Sequence, residues 1–483
     1  MRILLLGFVL ASASVLAGNN AAWNNSGGSL STSLITLNVQ STASSTYTVR
    51  VPQVGDIYVS QAGSDANSCT LVSEGGTGPC SKNISATTLA KLSAGKSLWL
   101  YDAGTYSFPT TAPSIPNVGG SSDSNRVQVA GYPGVTTAAT LALGANPAYL
   151  YGTSVNYWTF ANLSVTCDAD CFVVGFSPSY DAKNATHINI IGVNFTQTNA
   201  SSTVDNAAAV RMHYSYNDVV GADYINIVKS TITGAGSGTH NNTSGIIVFR
   251  VRHLNVLGNK ITNVQNPIYY KHNHQESSAS SVDINFKNNM IQNGYNQTRF
   301  HVNFAKIVNN VFDSTVGLDF GDSDGNQGGD DNLVANNTFR NTGLSMNWAN
   351  CSGTIGVVCS EGSLRNSIHD NVFFGTSSRE DNRYSSNNGT GVDQQNTTNH
   401  NSYSASSSII YRNGDSYTLS GYVAAFSGQE AASEQGTITF GGGASPSISS
   451  PSQWSLQSGS KGYGTGTGGL NTGVNTNKLL TVN

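Results

Sequence analysis

The stretches HLNVLGNKI (253–261), DINFKNNMI (283–291), AKIVNNVF (305–312), NLVANNTF (332–339) and SIHDNVF (367–373) write one pattern five times. Each is a short β-rich run, then an Asn, one residue, and an apolar Ile or Phe. Looser copies precede them in WTFANLSV, HINIIGVNF and YINIVKSTI, so the apolar column reads 165, 195, 232, 261, 291, 312, 339, 373. A repeat of this size decides architecture before any local propensity does. Each unit is strand-sized, with alternating apolar residues such as Leu254, Val256 and Ile261. One such strand cannot bury its apolar side alone. Stacked coil on coil at roughly 4.8 Å, it gains backbone partners and a continuous core. The steps range from 21 to 37 residues. That unevenness suits a solenoid with fixed strands and variable turns, and argues against a propeller or a helical array. The Asn before each column residue has two readings, an ordinary turn residue or one rung of an internal amide ladder. Five repeats at one offset favour the ladder.

The pattern resembles the right-handed parallel β-helix of the pectate-lyase-like superfamily. DIYVSQAGSD (56–65) and ATTLAKLSAGKSLWLYDAGTY (86–106) resemble its opening strand, short capping helix and first coil. NRVQVAGYPG (125–134) resembles the next strand and turn, and WSLQSGSKGYGTGTG (454–468) the closing segment. The resemblance spans residues 56–468 and implies an all-β fold with an N-terminal capping helix. It is weak for activity, because such scaffolds host many functions. Ahead of it, residues 18–55 are rich in Ser, Thr and Asn and hold a strand pair, SLITLNVQ and TYTVRVP, read as a small cap or a stalk. Residues 377–407 read as a long surface loop, YTLSGYVAAF as a short helix or strand, GTITFG as a strand, and 469–483 as a tail.

Charged residues make up 10% of the 483, with 52 Gly and a formal charge of −4. This composition suits a repetitive extracellular β protein and gives no sign of nucleic-acid binding. Residues 1–17 read as a secretory signal: Arg2, an apolar run from Ile3 to Leu10, and the small-residue site Val15-Leu16-Ala17. No later stretch is long and apolar enough to span a membrane. The expected location is therefore secreted, or periplasmic if the source is bacterial. Six cysteines fall in three close pairs: Cys69 with Cys80, Cys167 with Cys171, and Cys351 with Cys359. In an exported chain they point to local disulfides rather than to a metal site.

Chemistry gathers a short way past the repeat column. Successive second strands end in charge: Arg211, Arg250, Lys271, Arg299 with His301, and Asp319 with Asp322. Lys271, His301 and Asp322 each stand ten residues past their column residue, an offset that places them on neighbouring coils. With 23 Lys and Arg in the chain, several along one face form a basic groove suited to an acidic polysaccharide. Arg forks match carboxylates, and Tyr269, Tyr270 and Tyr295 are candidate sugar-stacking faces. His272 and His274 extend the candidate set. The bland alternative is a row of solvated strand-end charges.

The order Lys271, NNMI, Arg299, His301, IVNNVF resembles the chondroitinase B and alginate lyase group of β-helix enzymes. There a Lys is the base and an Arg follows about one coil later within an Arg-His-Gly triplet; here the triplet is Arg299-Phe300-His301. The resemblance implies β-elimination at a uronate, with Lys271 as base, Arg250 or Arg299 neutralising the carboxylate, and a His protonating the leaving oxygen. The group's calcium ligands just ahead of the Lys have no counterpart in this sequence. The acidic loop DFGDSDGNQGGDDN (319–332) offers Asp319, Asp322, Asp324 and Asp330 to calcium, although Leu333 stands where a calcium loop needs Glu. Two further readings stay open: a non-catalytic β-helix adhesin or glycan binder, and a glycoside hydrolase using the Asp loop.

Overall fold

A computed structural model describes residues 35–39, 45–135, 139–179, 181, 183–199, 206–214, 221–236, 243–271, 283–295, 298–314, 317–320, 331–346, 365–375, 379–381, 396–404, 410–412, 415–426 and 428–480. The signal-like segment 1–17 lies outside these residues.

Three strands make one coil. Asp283–Lys287 lies in the first sheet, Met290–Gln292 in the second and Thr298–Phe300 in the third, and Ala305–Val308 re-enters the first sheet one level on. Repetition of this step builds sheets of 13, 12 and 11 strands among the described residues, parallel except for a final antiparallel pair in the third. The fold is a right-handed parallel β-helix, capped near its start by the short helix α1 (Ala86–Leu89).

The column read from sequence is the inward row of the second sheet. Val165, Phe195, Ile232, Ile261, Ile291, Phe312, Phe339 and Phe373 pair coil to coil in unbroken register. All are buried in the main core. At its far end Phe312, Phe339, Phe373 and Tyr403 stack with centroids 5.0 Å apart and rings nearly parallel.

From Ile261 onward, the Asn two residues before the column residue forms the amide ladder. Asn289 Oδ1 accepts from both the backbone N–H (2.9 Å) and the Nδ2 (3.0 Å) of Asn259, and Asn259 Nδ2 also donates to Ile227 O at 2.9 Å. Asn310, Asn337, Asn371 and Asn401 repeat the geometry. The ladder begins at the Ser230 N–H and ends on the carboxylate of buried Glu430, which accepts from Asn401 Nδ2 and Tyr403 OH. A second, shorter ladder links Ala305, Asn332, Asn366 and Asn396.

Two of the three expected disulfides are present, Cys69 with Cys80 and Cys167 with Cys171. Each closes a short local loop, as close spacing in the chain implies. The third expected pair is not part of the described structure. Cys351 lies outside the described residues, and Cys359 lies outside them too, so their pairing stays an expectation from sequence.

Both terminal segments lie along the solenoid. Strands β1 (Ile35–Val39) and β2 (Ser45–Val49) form an antiparallel hairpin. From it, Tyr47 and Val49 pack on the outer face of the first sheet against Trp99, Ala130 and Ile191. The supposed tail is likewise ordered. Val474 and Leu479 join Ile448 and Trp454 over Met290 and Val311 on the outer face of the second sheet, and Leu480 N–H donates to Asn288 O. Trp454 lies over Arg340, which holds Asp313 through two bonds of 2.7 and 2.8 Å.

Two local expectations change, and one open alternative is decided. Residues 377–407 are not one loop, because Arg379–Asp381, Thr397–Asn399 and Ser402–Tyr403 continue the three sheets. Their strands are so short that one inward residue each, such as Tyr403, leaves no alternation to read. YTLSGYVAAF supplies the helix α2 (Leu419–Ala425), opened by the Thr418 side chain accepting from Gly421 N–H. GTITFG makes only an isolated bridge, Phe440 to Leu456.

Each ladder rung serves several buried groups, so its loss costs more than one hydrogen bond. Asn337→Ala removes the acceptor of the Asn310 N–H and Nδ2 and a donor to the Ile307 carbonyl, and is expected to destabilise by roughly 2–4 kcal/mol, read from urea unfolding.

Candidate functional site

The outer face of the third sheet brings Arg211, Arg299 and Asp319 into one column. Backbone register runs Arg211↔Ile247, Ile247↔Tyr269, Tyr269↔Arg299 and Arg299↔Asp319. Alternation along each strand places His213, Phe249 and position 271 two residues farther along the same face. His213 pairs with Phe249, and Phe249 with Lys271. Tyr269 opposite Arg299 carries the equal offset of 271 and 301 directly. The acidic neighbour of Arg299 is Asp319. Arg299 stands eight residues past Ile291 and its register partner Asp319 seven past Phe312, so the spacing from the column shortens by one at that coil. Asp322, Asp324, Asp330, His272 and His274 lie outside the described residues, as does the side chain of Lys271.

The arginines of this region divide by partner. Arg211 is buried, with its guanidinium 3.1 Å from Asp170 and over the Phe176 ring at 4.8 Å. Asp170 sits inside the tight loop closed by the Cys167–Cys171 disulfide and also accepts from Ala208 N–H at 2.7 Å. Burial pushes its carboxyl pKa up, against the pull of Arg211 and that N–H. Arg211, expected as a substrate contact, therefore has its charge matched internally. Arg252 pairs with Asp223 at 3.3 Å and lies 4.7 Å over Tyr214. Burial alone would raise the Asp223 carboxyl, but His253 and Arg252 hold it below the ordinary range. Arg250 occupies the corner just past Ser244–Phe249 in a left-handed conformation, φ 60°.

Arg299 differs from all of these. Its guanidinium lies 5.0 Å over the Tyr269 ring. Its Nε is buried without a hydrogen-bond partner, and no carboxylate among the described residues pairs with it. His301, 1% exposed, makes a T-shaped contact with the same Tyr269 ring, centroids 5.6 Å apart. Tyr269 is thus a covered platform beneath Arg299 rather than an open sugar-stacking face. Tyr270 is a core residue, because inward and outward positions alternate along Asn266–Lys271. It is 2% exposed, its hydroxyl donates to Val251 O, and burial pushes its phenol pKa up. Tyr295 is 46% exposed at the corner ahead of Thr298–Phe300.

Sequence reasoning overlooked Asp170, Phe176, His213 and Phe249. His213 was findable, since it stands two residues past Arg211 on one strand. Asp170 was not, because only folding carries the disulfide loop to Arg211. Asp319 is 6% exposed on the third sheet, and no group of three or more His, Cys, Asp or Glu suited to a metal ion occurs among the described residues.

No protein-family model matches the sequence, and no curated protein matches it. Several solved structures do. XylC in complex with xylose aligns with TM-score 0.45 and 9% identity over 74% of this chain and 86% of that one. A mannuronic acid specific polysaccharide family 6 lyase from human gut microbiota gives 0.41 and 12% over 66% and 77%. A rhamnogalacturonan lyase gives 0.39 and 10% over 78% and 87%. Scores and identities this low carry no argument about this chain's chemistry.

The division among arginines is measurable. Arg211→Ala strands Asp170 in the interior and is expected to destabilise by roughly 3–5 kcal/mol. Arg299→Ala removes no ion pair among the described residues, and its unfolding midpoint is expected to fall much less in parallel denaturation curves.

Proposed function

We propose that this protein acts on an acidic, uronate-containing polysaccharide and cleaves it by β-elimination at the outer face of the third sheet. The observation that carries the reading is Arg299, a half-buried guanidinium held over Tyr269 with no anion of its own among the described residues. A uronate carboxylate supplies the missing partner and accepts from the guanidinium fork. Neutralising that carboxylate acidifies the proton on the adjacent C5. The base takes the proton, the C4–O bond breaks, a C4–C5 double bond forms, and the leaving oxygen takes up a proton.

Lys271 is the proposed base. Its position lies one coil before Arg299, two residues along the strand from Tyr269 and in register with Phe249. A lysine serves as base when nearby cations favour its neutral form, and Arg250 and Arg299 are the cations proposed for that role. His301, in T-shaped contact with Tyr269, is the proposed proton donor. Two disulfides, Cys69–Cys80 and Cys167–Cys171, support an exported protein. Calcium at the acidic loop that begins with Asp319 is a subsidiary proposal, tested by chelation.

Incubation with alginate, chondroitin and pectate is expected to give the ultraviolet absorbance of an unsaturated uronate on one of them. Lys271→Ala and Arg299→Ala are each expected to lower that rate by at least about 100-fold. Binding without any absorbance rise would instead favour a non-catalytic glycan binder. New reducing ends without the absorbance would favour a hydrolase at the Asp loop.

A further inference from the structure

The second sheet has an outer face that the proposed chemistry does not use. Six successive strands carry the triplets TYS (105–107), TLA (140–142), SVT (164–166), NFT (194–196), TIT (231–233) and KIT (260–262). The central residue of each points into the core at 1% exposure or less. The flanking residues form two outward columns, exposed or half-buried. Register is unbroken along both. One column runs from Thr105 to Lys260, the other from Ser107 to Thr262. Nine of the twelve outward positions are Thr or Ser, and the one charge, Lys260, stands at the edge.

The same sheet continues beyond Lys260, but there its outer face is covered. The C-terminal segment packs on Met290 and Val311, and Lys260 Nζ meets Ser449 Oγ at 2.9 Å where the cover stops. These six strands, uncovered among the described residues, continue in register a surface that is a packing interface one coil away. The threonine hydroxyls of the triplets make no hydrogen bond among the described residues. Their χ1 angles are stiff, being β-branched, so an array held on a rigid sheet loses little entropy on binding.

We infer that this face binds the surface of crystalline ice. Parallel strands set a repeat of about 4.8 Å in one direction, and alternate residues one of about 6.6 Å in the other. The result is a two-dimensional net of hydroxyl and methyl groups close in spacing to the oxygen net of ice. Charge selects the occupant. A polyanion requires cations, and the face offers only Lys260. A sugar crystal favours aromatic platforms, and no outward residue of the triplets is aromatic. A protein partner favours an apolar centre, which the columns lack. A neutral solid that presents donors and acceptors at fixed spacing matches what remains.

The test is thermal hysteresis and ice-crystal shape with the full-length protein, alongside Thr196→Tyr and Thr233→Tyr. These substitutions place a bulky ring in the centre of the net without touching the core. The wild type is expected to hold a freezing gap and facet the crystal. Each variant is expected to lose that gap while keeping its unfolding midpoint, and Arg299→Ala is expected to retain it. Absence of hysteresis and faceting in the wild type overturns the proposal, as does hysteresis that survives both tyrosines. Co-sedimentation with cellulose or chitin that the same tyrosines abolish, without hysteresis, overturns it in favour of a neutral polysaccharide.

Discussion

The buried amide ladder is the constraint on which the rest of the molecule depends. Each Asn turns the chain from the first sheet into the second and uses its side chain to bond the next turn in the same way. Oδ1 takes two donors from the preceding coil, while Nδ2 reaches a strand carbonyl and the following Asn. Coils that repeat this geometry stack at one pitch, and the three sheets inherit their register from it. The amide dipoles also align, with their Nδ2 ends toward the C-terminal coils. Glu430, fully buried, places a carboxylate at that end and terminates the series with complementary charge.

A solenoid built this way exposes three long faces and two ends, and the chain covers part of this with its own termini. The N-terminal hairpin lies on the first sheet and the C-terminal segment on the second, each by apolar packing supported by polar contacts such as Tyr47 to Asn226 and Arg340 to Asp313. Among the described residues, neither covers the column of the third sheet that runs from Arg211 to Asp319. There the protein matches the charges of Arg211 and Arg252 internally and leaves Arg299 unmatched among the described residues. A guanidinium held over a ring with no anion among the described residues is the feature on which the proposed carboxylate contact rests.

Much of the architecture was legible because the solenoid repeats its physics. Ile261, Ile291 and Phe312 recur at one offset from an Asn because each coil solves the same turn, and one line of sequence exposes all of them. Elsewhere the signal weakens for stated reasons. The coil within 377–407 has strands too short to show alternation. The ruler slips by one residue between Phe312 and Asp319, because corner length varies freely while strands do not. Tyr269 and Tyr270 look alike in sequence, yet strict alternation sends one outward beneath Arg299 and the other into the core.

From sequence alone came the strand repeat, its inward column, the ladder Asn and the strand-end charges, all of them periodic and therefore readable without coordinates. Tertiary structure decided which charges are matched. Asp170 and Arg211 lie in separate coils, and a disulfide loop brings them together. Which faces stay open was also a tertiary outcome, since the termini fold back by contacts that no local pattern encodes. Ion pairing and coverage depend on distances between residues remote in the chain, and linear periodicity carries no information about those.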